Sequence, residues 1–392
     1  MQLKDAVIVS AVRSAVARGK KDGALANVHA VDLSAEMLKG VLAPAKLDPA
    51  LVDDVIWGCA FPEGSQGLNV ARLAALRAGY PVEVSGATVN RFCSSGLQSV
   101  AFAAQSIMTG LCDVVVAGGI EMMSAVPMSG FHARLHPEMT EANIGMGHTA
   151  ERVAKQWGIT REQADQFALA SQQKAVAAMQ RGAFAGEIVP IPVQRVAWKG
   201  TKKSVETVPF AVDEMPRADT TLEGLTKLKP AFSATGVSTA GNSSPLSDGA
   251  AAVLLMSATR ANELGLTPLA RFVTFATAGV APDLMGIGPI KAVPKALAKA
   301  GLKLDDIKMI ELNEAFAVQG LAVMKDLGMD AARTNVNGGA IALGHPLGAT
   351  GAKLTTQVVH ALGKANGGYG MVTMCIGGGM GAAGIFEVYP SD

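Results

Sequence analysis

The sequence predicts an α/β enzyme made of two similar βαβ domains packed together, with a loop or lid domain inserted between them. Three observations carry this reading. A stretch of 21 residues occurs twice, at 41–61 (VLAPAKLDPALVDDVIWGCAF) and 296–316 (ALAKAGLKLDDIKMIELNEAF), with six identities and no gap. Downstream of each copy, short apolar runs alternate with helical patterns, which implies βαβ units and largely parallel, buried sheets. Glycine is abundant, 44 of 392 residues, while aromatics make up only 5%. The core must therefore be built from small and aliphatic side chains that let backbones approach closely.

The elements follow in order. The N-terminal MQLKDAVIVSAVRS carries Lys4 and Asp5 and has no apolar stretch of signal-peptide length. It reads as the first strand of a cytoplasmic protein. Each repeat copy runs from an Ala-rich helix end through an Asp-containing turn into a strand, at 54–57 and 308–312. In the first half, Val89 and Asn90 precede a Gly-containing turn, a helix near 97–108 and the strand DVVVAGG at 113–119. In the second half, Val336 and Asn337 precede a longer Gly-rich turn and a helix near 352–362, with Leu354, Val358 and Leu362 on one face. The strand GMVTMCIGG at 370–378 follows.

Residues 120–244 differ in composition. They hold Pro127, Pro137, Pro190, Pro192, Pro209, Pro216 and Pro230, and an amphipathic helical pattern over 149–181 interrupted by Thr160-Arg161-Glu162-Gln163. The first half resumes with the apolar strand at 248–256. The expected domains are 1–119 plus 245–268, the insertion 120–244, and 269–392. The uncharged run 365–386 contains eight glycines in two clusters. It reads as two buried strands joined by a Gly-rich turn rather than as a membrane span.

Charge and motifs exclude several classes. Lys and Arg total 34 against 33 Asp and Glu, a net charge of +1, so no nucleic-acid partner is expected. The basic stretch 195–203 reads as a solvated loop. Cys59, Cys93, Cys112 and Cys375 show no CxxC spacing, which removes support for zinc and for thioredoxin-like chemistry. No GxGxxG follows the first strand, and neither GxxxxGK[ST] nor GxSxG occurs.

Four positions can bear chemistry. Cys93, in VNRFCSSGLQSV, precedes a helix, whose N-terminus lowers a thiol pKa and favours a thiolate nucleophile. A small buried hydrophobe is the competing reading. His345, in GGAIALGHPLGATGA, sits on a tight Gly-rich turn and is held extended by Pro346. It can act as general base toward a thiol or bond structurally to backbone. Cys375, in TMCIGGGMGAA, opens a glycine cluster whose N–H groups can hold an oxyanion or simply permit packing. Asn313, in ELNEAFA, can hold a water or a substrate carbonyl, or form a turn. Glu314 beside it is a solvated or a packing carboxylate.

Together these segments resemble the thiolase family along nearly the whole chain. VNRFCSSGLQ, NEAFA at 313–317, GGAIALGHPLGATGA and CIGGGMG at 375–381 are similar to its four active-site blocks, in order. TAGNSSPLSDGAAA at 239–252 resembles its coenzyme A loop. The resemblance implies Cys93 as the acyl-accepting nucleophile, His345 as its base and Cys375 as the second acid/base. It implies Asn313 as the holder of a water that forms one oxyanion hole with His345. The N–H groups of Cys93 and Gly377 form the other. Arg217, Ser244, Phe232, Met285 and Phe316 fall where the family contacts coenzyme A, with Lys227 or Lys229 as further phosphate partners for Arg217.

The activity so implied is reversible thiolytic cleavage of a 3-ketoacyl-CoA by coenzyme A through an acyl-cysteine. Coenzyme A is a substrate, and no metal or redox cofactor is implied. A homodimer or homotetramer is expected, with a β-oxidation subunit as a further partner. Biosynthetic acetoacetyl-CoA thiolases carry His-Met-Gly before the Thr-Ala-Glu that is 149–151 here. This chain has Gly145, and His148 is displaced by three residues. The segment 126–146 looks more like that of degradative thiolases, so a broad or medium-to-long chain range is expected. The alternatives are an acetoacetyl-CoA thiolase, a ketosynthase, which usually pairs its cysteine with His-His or His-Asn, and a non-catalytic acyl-CoA-binding protein. A Cys93–Cys375 disulfide would modulate the enzyme rather than replace it.

Overall fold

The computed structural model describes residues 3–126 and 136–391. The first half contains β1 (Ala6–Arg13), β2 (Ala17–Arg18), α1 (Ala30–Leu42), β3 (Asp54–Cys59), α2 (Val70–Arg77), β4 (Ser85–Val89), α3 (Ser95–Met108) and β5 (Val114–Met122). The insertion holds α4 (Met146–Trp157), α5 (Arg161–Gln180), the hairpin β6 (Ile191–Lys199) and β7 (Lys202–Phe210), and α6 (Leu222–Thr226). Next come β8 (Ser247–Ser257) and α7 (Ala258–Glu263). The second half is β9 (Ala270–Gly279), α8 (Gly288–Ala300), β10 (Ile307–Leu312), α9 (Ala317–Leu327), α10 (Ala340–Leu343), α11 (Leu347–Gly363), β11 (Gly368–Ile376) and β12 (Met380–Val388).

The two halves repeat one strand order. The first runs β4-β3-β5-β8-β1 and the second β10-β11-β12-β9, with the isolated parallel bridge of Ile310 to Thr334 standing where β4 stands. The halves join edge to edge where Val7 and Ile8 pair with Arg271 and Ala270. The sheets are mixed, which corrects the expectation of largely parallel strands. β3 is parallel to β4 and β5, and β10 to β11, but β8, β1, β12 and β9 run antiparallel to their neighbours. The physical reason is visible at the end of β11. Gly378 and Gly379, at φ +78° and +82°, reverse the chain in a tight turn that leaves no room for a crossover helix.

Period-two alternation builds the layers. On β8, Ala250, Ala252, Leu254 and Met256 face α1 and α2, while Ala251, Val253 and Leu255 face α3 and α11. On β12, Ala382 and Phe386 face that same inner pair of helices, and Ala383 and Ile385 face α8. The result is helix, sheet, helix pair, sheet, helix, with α3 and α11 packed on each other in the middle. Glycines allow that contact. A Cβ at Gly96 would lie 2.8 Å from the Ala352 nitrogen, and one at Gly58 2.6 Å from the Gly96 nitrogen.

The helical pattern of the insertion resolves into two helices. Gly158, at φ +63°, ends α4, and Thr160 opens α5 through a capping box with Gln163. The insertion is pinned to β1 by Arg13, which is fully buried. Its guanidinium meets Asp213 at 2.7 and 2.9 Å and Glu187 at 2.6 Å. The run 365–386 is β11, the Gly turn and β12. Among the described residues no helix is long and apolar enough to cross a membrane.

Candidate active site

Cys93 is half-buried on a single 3-10 turn, Phe92–Ser94, that leads into α3. Phe92 carries φ +43°, an uncommon backbone state for a large side chain. Side chains hold it there. Asn90 Oδ1 accepts from the Phe92 N–H at 2.8 Å, while Ser95 Oγ accepts from Arg91 N at 2.9 Å and donates to Phe92 O at 2.7 Å. The N–H groups of Gly377 and of Cys93 itself face the Cys93 sulfur and favour its thiolate. Burial outweighs them and, with the negative charge of Glu121 adding to it, pushes the thiol up to about 11. This runs against the helix-terminus expectation: desolvation exceeds the help of these two N–H groups, and the resting group is a thiol.

Cys375 is fully buried near the end of β11. Burial raises its thiol, and the charge on Cys93 raises it further, so the two sulfurs share one site. Both are free.

His345 is buried on the loop between α10 and α11. Gly344, at φ +85°, makes the turn before it, and its own N–H donates to Ser247 Oγ at 2.9 Å. Its Nδ1 lies 2.6 Å from Thr350 Oγ1. The Thr350 hydroxyl already donates to Pro346 O at 3.0 Å. At Nδ1 it therefore accepts, which places the proton on Nδ1 and leaves Nε2 bare. Nε2 faces Asn313 Nδ2 at 3.3 Å. Burial, aided by the Lys353 charge, depresses His345 to about 3. The imidazole is neutral at neutral pH, as a base must be.

Asn313 continues from β10, donating its N–H to Thr373 O at 2.9 Å. Its Oδ1 is buried without a partner, an acceptor facing unfilled chemistry. Glu314 is the packing carboxylate of the two readings: it is buried and accepts from Ser171 Oγ at 2.7 Å, Asn335 Nδ2 at 2.8 Å and Ile341 N at 3.3 Å. It fixes the loop that ends at His345.

The remaining candidates divide. Met285 and Phe316 lie in the same buried apolar cluster as Cys375, with Met146 against it. Phe232 meets Phe316 edge to face, centroids 5.9 Å apart, and covers Gly147, where any side chain would strike its ring. Ser244 is half-buried and donates its N–H to Ala315 O at 2.9 Å. Arg217 is exposed; its backbone N–H donates to Gln172 Oε1 at 2.8 Å, and its guanidinium forms no ion pair among the described residues. Lys227 is paired with Glu223 at 2.6 Å, while Lys229 is exposed. Of the segment 126–146 used to judge the subtype, residues 127–135 lie outside the described residues. Gly145 caps α4 and His148 is exposed. No group of three or more His, Cys, Asp or Glu able to hold a metal ion occurs among the described residues.

Sequence reasoning missed Thr350, Ser247 and Glu121. Glu121 had a signal: a carboxylate inside an otherwise apolar strand, VVVAGGIEM. Thr350 and Ser247 had none, since their roles depend on the loop that brings His345 to them.

Residues 6–259 match the family model for the thiolase N-terminal domain and residues 266–388 that for the thiolase C-terminal domain. The chain is 51% identical to a 3-ketoacyl-CoA thiolase of Bacillus subtilis over 98% of this chain and 100% of that one. It is 48% identical to an acetyl-CoA acetyltransferase of Pseudomonas aeruginosa over 97% and 98%. The crystal structure of human mitochondrial 3-ketoacyl-CoA thiolase, 40% identical, superposes with a TM-score of 0.89 over 99% of this chain and 100% of that one.

Proposed function

The chain belongs to the thiolase family, and from that premise we propose that it cleaves 3-ketoacyl-CoA with coenzyme A to acetyl-CoA and a shortened acyl-CoA. It has the thiolase fold and is an acyltransferase. One observation carries the reading of the site: two thiols, half-buried Cys93 and fully buried Cys375, share one place where the Gly377 N–H meets the Cys93 sulfur.

The chemistry follows from those groups. Cys93 is a thiol and His345 a weak, neutral base, so the proton moves as the sulfur attacks rather than beforehand. Nε2 of His345 takes it while the Cys93 sulfur bonds to the 3-keto carbon. The carbonyl oxygen, now negative, is held by N–H donors or by a water on Asn313 and His345. The bond between C2 and C3 breaks, and the enolate of acetyl-CoA takes the Cys375 proton. The acyl group remains on Cys93. Coenzyme A then gives its thiol proton to the Cys375 thiolate and attacks the acyl carbon, and Cys93 leaves, recovering its proton from His345. The expected kinetics are ping-pong.

Phe316, Met285 and Phe232 form the apolar wall for the pantetheine arm, Ser244 lies beside it, and exposed Arg217 with Lys229 meets the phosphates. The domain division at 1–119 plus 245–268, 120–244 and 269–392 is supported by the place of α4, α5, the β6–β7 hairpin and α6 between β5 and β8, with the first boundary better drawn after Met122, where β5 ends. A homodimer or homotetramer is supported by β4, an edge strand with one neighbour, flanked by exposed Leu68, Val82, Phe92 and Phe102.

Conversion of acetoacetyl-CoA and 3-ketohexadecanoyl-CoA with coenzyme A tests this reading. Consumption of the ketone, faster for the longer chain, is the expected outcome. No turnover on either ends the proposal. A sharp preference for the four-carbon substrate transfers it to the acetoacetyl-CoA reading, which the Pseudomonas relative's name favours.

A further inference from the structure

We propose that Glu121 is a positioning residue of this reaction, tying the turn that carries Cys93 to the loop that carries His345 across the junction of the two halves. The inference rests on the catalytic reading above. Glu121 is fully buried on β5. Its Oε2 accepts from Ala60 N at 2.9 Å and from Gly348 N at 2.8 Å. Its Oε1 accepts from Phe61 N at 3.3 Å and from Gln66 Nε2. Gln66 is itself anchored, since its Oε1 accepts from Met122 N at 2.8 Å.

The bonds continue in both directions. Gly348 lies three residues after His345, in the first turn of α11. On the other side, Ala60 O accepts from Asn90 Nδ2 at 3.0 Å, and Asn90 Oδ1 accepts from Phe92 N at 2.8 Å. From the residue before Cys93 to the first turn of α11, hydrogen bonds join Phe92, Asn90, Ala60, Glu121 and Gly348 in series, and Glu121 is where this path crosses from the first half to the second. Four donors converge on it, and only an ionised carboxylate accepts from all four while offering none. Burial pushes its carboxyl up to about 7 while the donors pull it down, so above neutrality it is the anion the donors require. The same charge opposes ionisation of Cys93.

The two effects separate experimentally. Glu121→Gln brings an amide donor into a ring of donors and removes the negative charge. In this variant kcat should fall at least tenfold with KM changed less than threefold, while alkylation of Cys93 by iodoacetamide at pH 8 should speed up severalfold. A merely structural loss would move both rates the same way. Asn90→Ala, at an exposed position that leaves the core intact, cuts the chain without touching the charge. Its kcat should drop severalfold at unchanged KM, with alkylation unaffected. The proposal is overturned if Asn90→Ala keeps wild-type kcat, or if a folded Glu121→Gln keeps kcat within twofold or alkylates no faster than wild type. Alkylation needs no substrate, so a wild-type protein without thiolysis would sink the proposed function and leave this readout standing.

Discussion

The two halves share a scaffold and divide the chemistry. In the repeat, Trp57 corresponds to Leu312; Trp57 pairs with Gly118 on β5, and Leu312 with Thr373 on β11. By that register Cys375 stands where Ile120 stands in the first half, and Asn313 where Gly58 stands. The first half cannot use its copies. A side chain at Gly58 would meet the Gly96 nitrogen at 2.6 Å and the Gly348 oxygen at 2.8 Å. The turns differ too. The first half needs four residues between Asn90 and α3 and spends them on the Cys93 turn. The second has nine between Asn337 and α11, and its loop reaches back to Ser247 on β8 to hold His345. Duplication supplied two facing helix starts, and divergence of turn length and of two strand positions made them complementary.

The sharpest way to break that division is to remove one contribution from each side. Cys93→Ala should lower kcat by about 10⁴-fold or more, since no acyl acceptor remains. His345→Ala should cost about 10²- to 10⁴-fold, the range of a lost general base. Steady-state thiolysis measures both, and the double variant should be little worse than Cys93→Ala because the two act as a unit. A double loss equal to the product of the single losses would show that the halves act independently.

Next in size is the protonation state at the junction. With Cys93 near 11 and His345 near 3, neither group is charged between pH 6 and 9. The thiolate fraction then rises throughout that window, less than tenfold per pH unit near pH 7 where Glu121 gains its charge, and iodoacetamide alkylation of the free enzyme should climb about 10²- to 10³-fold without a plateau. An ion pair shared between the halves would instead give a rate that is flat from about pH 5 upward.

Much of this was legible in the sequence and some was not, for reasons that can be named. The repeat at 41–61 and 296–316 revealed the duplication because each copy buries the same face of the same strand. The Gly-rich blocks pointed to His345 and Cys375 because a backbone that turns this tightly has few alternatives to glycine, and Cys93 was singled out by its place just before a helix. The state of Cys93 was misread, since a helix start is visible in sequence whereas the burial that outweighs it comes from β11 and the second half. Strand direction was misread in the same way: a run of glycines marks a turn but not whether a crossover or a hairpin follows. Thr350 and Ser247 were invisible because serine and threonine are common and their partner is a loop placed by tertiary contacts.

Gly348 tests how closely the halves must approach. A Cβ there would lie 2.6 Å from the Ile120 oxygen, 2.7 Å from the Cys59 Cα and 2.8 Å from the Ala60 nitrogen. All three are backbone atoms and cannot turn aside. Alanine normally gains about 1 kcal/mol over glycine within a helix. At this site overpacking should exceed the gain and destabilise the fold by about 2 kcal/mol. Gly186→Ala in the insertion, where the nearest atom is 3.8 Å away, should stay within about 0.5 kcal/mol of wild type. Urea unfolding compares the pair, and equal midpoints would mean that the halves have slack at their contact.

The smallest expected effect concerns orientation alone. Thr350 touches neither thiol; it accepts the His345 Nδ1 proton and so points Nε2 into the site. Thr350→Val keeps the shape and removes the acceptor. The imidazole then loses one hydrogen bond worth about 1 to 1.5 kcal/mol, and the tautomer with Nε2 bare loses its preference over the other. That energy corresponds to about a tenfold fall in kcat, with KM unchanged because coenzyme A contacts are untouched. Thr350→Ser restores the hydroxyl and should restore most of the rate. If valine and serine give equal rates, the tautomer is set by Asn313 instead, and the second half orients its own base without help from α11.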